Sequence, residues 1–160
     1  MSGSSAQDVC TERWIVALTH LVAMGVAIYP VLEDGSGGWT NRINGKCLSH
    51  AVKVLDKIAK KRKVPQLFSF YSWSREDAII EQLGGDPEDP STFDESKIIP
   101  GRWFSATDGL VTIRALLEYM TSDGSGIANP QFVQEDLEEL ERVLANAAAN
   151  GVRWYLGMSA

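Results

Sequence analysis

The sequence predicts an α+β domain in which a small central sheet of two to three strands is covered by four to five helices. Three observations lead there. Two short apolar segments, Gly25 to Glu33 (GVAIYPVLE) and Val152 to Leu156 (VRWYL), are rich in β-branched and aromatic residues. Four later segments and one earlier one carry apolar residues at helical spacing. Neither extended segment satisfies its own backbone groups when buried, so the two are expected to pair beneath the helices.

Along the chain, residues 1–23 read as an N-terminal extension, and 24–160 as a single α+β domain. Met1 to Gln7 has the composition of a disordered or expression-derived start. Trp14, Ala17, Leu18 and Leu21 then mark a helix over Asp8 to Leu21. The run Trp14 to Leu32 approaches the length of a membrane span. His20, Gly25 and Pro30 inside it, and a single flanking cation at Arg13, favour a helix followed by a buried strand. Pro30 cannot donate to a ladder, which places its end of the strand at an edge or a bulge.

Asp34 to Gly38 (DGSGG) is a loop. Leu48, Ala51, Val52, Leu55, Ile58 and Ala59 form the apolar stripe of a helix from about Cys47 to Lys61. Val64-Pro65 ends it. Leu67 to Tyr71 is extended or turn-like and is one candidate for a third strand; Trp39 to Ile43 is the other. Ser74 with Asp77 resembles a capping box, opening a short helix from Arg75 to Leu83 that stops at Gly84. Gly85 to Pro100 reads as an exposed loop.

Ser105 with Asp108 repeats the capping pattern. A helix stripe of Leu110, Val111, Ile113, Leu116, Leu117 and Met120 follows, to about Thr121. Asn129-Pro130 opens the last helix. Its stripe holds Phe132, Val133, Leu137, Leu140, Val143, Leu144, Ala147 and Ala148, and Asn150-Gly151 stops it. Glu135, Asp136, Glu138, Glu139 and Glu141 read as its solvated face, with Glu138 set to pair with Arg142.

Composition narrows the function. The chain has 160 residues, 44% hydrophobic and 22% charged, with a net charge of −6. That balance supports a packed core and disfavours general binding to nucleic acid or anionic lipid. Two cysteines make no disulfide scaffold and suggest free thiols in a cytoplasmic setting. The basic run Lys57 to Lys63 complements a helix C-terminus; contact with nucleic acid is its alternative reading.

The Cys and His residues are Cys10, His20, Cys47 and His50. On one helix Cys10 and His20 stand about 15 Å apart, too far to share an ion. Cys47 and His50 are a two-ligand set at most, so neither metal nor cofactor is expected. As a pair near a helix N-terminus, Cys47 and His50 are the candidate reactive thiol and its base. A small thiol packed beside a half-exposed imidazole is the plainer reading. No serine-nucleophile or phosphate-loop motif occurs, so no catalytic residue is assigned.

The aromatic residues carry the binding candidates. Trp39, Trp73 and Trp103 lie in or beside loops, and Trp and Arg concentrate at interface hot spots. The candidate binding residues are Tyr29, Trp39, Tyr71, Ser72, Trp73, Arg102, Trp103 and Asp108. Stapling of the loops onto the core is the competing role for the rings.

Five segments together resemble a group of small bacterial proteins of unknown function. They are MGVAIYPVLE from Met24, NGKxL at Asn44 to Leu48, LFSFYS at Leu67 to Ser72, WFxAxxGL at Trp103 to Leu110, and GVRWYL at Gly151 to Leu156. The resemblance spans about Met24 to Leu156 and implies Met24 as the usual start of such proteins. It implies no activity and transfers no site. The expectation is a non-catalytic protein-interaction or regulatory domain, antitoxin- or immunity-like by analogy of size and charge. Its expected partner is another protein, with a homodimer as an option, and neither nucleic acid nor membrane. The alternative is a small-ligand binder or enzyme with a loop-built site around Cys47/His50 and Trp73/Trp103.

Overall fold

Strand β1 (Ala27–Leu32) pairs antiparallel with strand β2 (Trp154–Ser159), and among the described residues these two strands make up the sheet. The computed structural model describes residues 26–36 and 45–159. The predicted extension 1–23, the helix over Asp8 to Leu21 and the strand candidate Trp39 to Ile43 lie outside the described residues. So do Cys10, His20 and Trp39.

The register explains why proline is tolerated in β1. Glu33 N–H donates to Arg153 O (3.0 Å), one step beyond the Leu32–Trp154 pair. Ladder bonds therefore fall on the odd-numbered residues of β1, and even positions turn their backbone outward. Pro30, paired with Leu156, sits at such an outward position, so the N–H it lacks is one the ladder does not use. Beside it, Ile28 N–H donates to Gly45 O at 3.2 Å. The outer edge of β2 is also occupied. Leu156 O accepts Ser72 N–H (3.1 Å), and Trp154 exchanges two bonds with Phe104 (2.8 and 2.9 Å).

Side chains alternate across the sheet. Ile28, Leu32, Trp154 and Leu156 join the core. Tyr29, Val31, Tyr155 and Gly157 take the other face. Among the described residues three helices pack into the core, α1 (Lys46–Lys61), α3 (Ala106–Ser122) and α4 (Pro130–Ala149), with the short α2 (Arg75–Asp77) between α1 and α3. In α1 the buried apolar residues are the predicted stripe. Its end is a Schellman-type turn. Lys63 adopts φ 58°, Val64 N–H reaches back to Ala59 O (3.1 Å), and the buried Thr112 hydroxyl donates to Pro65 O (2.6 Å).

The α+β class stands with a sheet of two strands, the lower of the two expected numbers, but with less cover than four to five helices. Among the described residues, α1, α3 and α4 supply the core behind one face, and no helix is long and apolar enough to cross a membrane. Leu67 to Tyr71 is not a third strand. Leu67–Phe70 forms a 3₁₀ turn, and only Tyr71 bridges to Leu156. Asp56 on α1 accepts Phe68 N–H (3.3 Å), holding that turn in its coiled form.

Other local readings divide. Ser74 and Asp77 make both bonds of the capping box. The helix they open turns into a π-turn over Ala78–Gln82 instead of staying α-helical. Ser105 makes no side-chain cap; its carbonyl instead accepts the Trp154 indole (3.2 Å). Asn129 gives no side-chain cap to α4 either, its φ of 50° being left-handed. Val111 and Phe132 lie outside the stripes assigned to them, at 50% and 54% exposure. Asp136 is not solvated but buried, and Arg142 pairs with Glu139 rather than Glu138.

Between the 3₁₀ turn and α3 the chain makes a closed excursion, residues 72–102. Its polar part is ordered by repeated Asp-x-Ser turns. Asp89 accepts the Ser91 N–H and hydroxyl (3.0 and 2.7 Å), and Asp94 does the same with Ser96 (3.0 and 2.7 Å). These serine bonds hold the Asp89 and Asp94 carboxyls below the usual range. Arg75 grips Glu95 in a two-pronged pair (3.2 and 2.7 Å) across the excursion.

Candidate functional site

Six of the residues chosen from the sequence converge where this excursion meets β2. Ser72 is buried, and its hydroxyl accepts Arg102 N–H at 2.6 Å. Trp73 follows, half-buried, its indole donating to Ile99 O at 2.8 Å. These bonds tie the two ends of the excursion together. Gly101 is required at the crossing, because a Cβ there would stand 2.1 Å from Trp73 O and 2.8 Å from the Ser72 hydroxyl oxygen.

The rings pack in a chain from this neck across the sheet. Tyr71 stacks on Phe68 (5.3 Å, 9°) and tilts against Trp73 (6.1 Å). Trp103 tilts against Tyr155 (4.9 Å) and remains 37% exposed. The Arg102 guanidinium lies over Phe104 at 5.3 Å. Tyr29 lies over Gly157, where a Cβ would meet its ring at 3.0 Å. Packing on the fold and exposure at the surface, the two roles weighed for these rings, are thus combined in Trp103.

The other candidates lie elsewhere. Asp108 is exposed in the first turn of α3. Cys47 packs against the core from α1, while His50 is exposed on the same helix. No hydrogen bond joins the two, so the thiol–imidazole pair is not formed. The helical spacing brings their backbones near, but burial turns one inward and leaves the other in solvent. Among the described residues no three His, Cys, Asp or Glu side chains gather as metal ligands.

Sequence reasoning missed Tyr155 and Asp77. Strand parity is the signal for the first: Tyr155 must face away from Trp154 and Leu156 and share a face with Tyr29. Asp77 enters through the charge it places near three phenols. Burial pushes the Tyr155 hydroxyl up to about 12, with Asp77 adding to it. Burial also raises Tyr71, helped by Asp77 and then Glu81, and raises Tyr29, helped by Asp77. A tyrosine acting as a base needs the opposite shift. These phenols stay neutral and serve as aromatic walls with polar tips.

No family model, no curated protein and no solved structure matches the chain.

Proposed function

We propose that the chain is a cytoplasmic bacterial protein-interaction or regulatory domain, of the antitoxin or immunity type, without catalytic activity of its own. The observation that carries this reading is the convergence of Trp73, Arg102 and Trp103 on one corner, clamped there by the Ser72–Arg102 bond. Rigid aromatic and guanidinium groups at a surface are the residue types that dominate protein interfaces. The separation of Cys47 and His50 from this corner, and the raised phenols, weigh against the alternative of a loop-built active site.

Affinity capture from a bacterial lysate, run in parallel with wild type and Trp103→Ala, tests the proposal. A partner retained by wild type and lost with Trp103→Ala is the expected result. A chain that captures nothing and is strictly monomeric by light scattering overturns it.

A further inference from the structure

The excursion 72–102 stands out from the rest of the molecule in charge. It holds eight acidic and three basic residues, a net −5, in 31 positions. The other 129 residues hold thirteen acidic and twelve basic, a net −1. Nearly all of the excess negative charge is therefore gathered in one lobe.

The fold leaves that charge uncompensated. Arg75 is committed to Glu95, and Arg102 lies over Phe104. Glu76, Asp77, Glu81, Asp86, Glu88 and Asp89 are exposed and make no ion pair among the described residues. The acids of α4 are paired in part: Glu139 pairs with Arg142 and Glu141 with Arg114, while Glu135 and Glu138 are exposed without an ion pair among the described residues.

The lobe also gathers apolar surface. Ile80 at 50% exposure, Ile99 at 36% and the adjoining Trp103 at 37% are three of the five large exposed hydrophobic residues described. Asp-x-Ser turns, the Arg75–Glu95 grip and the Ser72–Arg102 clasp hold this surface in one shape, so little ordering entropy opposes docking.

We infer that the 72–102 lobe is the docking surface of the interaction domain and that its occupant is a basic, partly apolar segment of a partner protein. This rests on the interaction reading above and specifies its partner. Unpaired carboxylates steer a cationic chain and repel nucleic acid or anionic lipid, while Ile80, Ile99 and Trp103 supply the apolar contact. Two lobes of like charge do not face each other, which disfavours a second copy docked lobe to lobe.

A fluorescent synthetic peptide of alternating lysine and leucine is the probe, read by anisotropy. The first variant is Glu81→Lys/Glu88→Lys. The second is Glu135→Lys/Glu138→Lys on α4, which changes the net charge equally at exposed positions. Circular dichroism confirms that both stay folded. The expected result is binding by wild type, weakened about ten-fold or more by the lobe pair and about two-fold or less by the α4 pair. Ile80→Ser, which leaves charge unchanged, should also weaken it.

Equal weakening by both charge variants means bulk attraction only and overturns the assignment. So does the absence of peptide binding by wild type. Self-association that disappears with the lobe variant would make the occupant a second copy and also overturn it. If the captured lysate partner survives Glu81→Lys/Glu88→Lys, the lobe assignment falls while the interaction reading stands. If no partner is captured and the chain is strictly monomeric, the interaction reading itself falls.

Discussion

The Ser72 hydroxyl accepts the Arg102 backbone N–H at 2.6 Å across 30 residues of chain; Ser72 N–H is bonded to Leu156 O of β2, and Phe104, two residues past Arg102, exchanges bonds with Trp154 of β2. Clasp and sheet edge therefore form one unit. Gly101 is the residue with no room to change, since its Cβ would lie 2.1 Å from Trp73 O, a backbone atom that cannot swing aside. Gly101→Ala is expected to destabilise by about 2–3 kcal/mol. Urea denaturation measures it, and hydrogen exchange should quicken across 72–102 before it does in α3 and α4. Uniform quickening would contradict a clasp.

Gly109 tests which of two opposing effects wins in α3. A glycine inside a helix ordinarily costs about 1 kcal/mol against alanine. Here a Cβ would stand 2.5 Å from the Trp154 ring, which is fully buried and pinned through its indole to Ser105 O. Overpacking of a dense core costs about 1–3 kcal/mol, so Gly109→Ala should lower stability despite its better helix propensity. A rise in Tm would mean that Trp154 moves freely.

Asp136 on α4 performs a task for α1. Its carboxylate, buried, accepts Gly45 N–H at 3.1 Å across 91 residues of chain. Helix α1 has no side-chain cap of its own, so this is a cap supplied by another helix. Asp136→Ala should cost about 2–3 kcal/mol by leaving a buried donor unmet. Asp136→Asn keeps an acceptor and should cost less. Equal and negligible losses in chemical denaturation would count against the capping role.

The legible parts were those with a period. The α1 stripe reads residue for residue, because six apolar positions at helical spacing admit one buried face. The pairing of the two terminal strands followed from backbone groups that burial must satisfy. Single-residue roles were harder. Ser74 and Ser105 begin the same Ser-x-x-Asp pattern, yet only Ser74 caps with its side chain, while Ser105 meets the Trp154 indole with its carbonyl. Asp136 looked like its acidic neighbours because no local pattern shows that α1 begins beside it. At the candidate site, aromatic type picked out Trp73 and Trp103. The clasp at Ser72, a contact between residues 30 apart, left no local trace.

Asp56 sets the sign of a pH effect. Burial pushes its carboxyl up to about 6, more than the Phe68 and Leu67 N–H groups pull it down. Between its ordinary value of 3.8 and about 6, the folded chain holds a proton that the unfolded chain releases. Stability from this group is therefore highest near pH 4, falls as pH rises to about 6, and is level above that. Asp56→Asn removes the ionising group and keeps an oxygen for Phe68 N–H. It should stabilise by about 1 kcal/mol at pH 7.5, a modest figure because part of the carboxylate faces water, and the gain should shrink toward zero near pH 4. Thermal melts of both proteins across this range check it; a gain that grows on acidification would reverse the assignment.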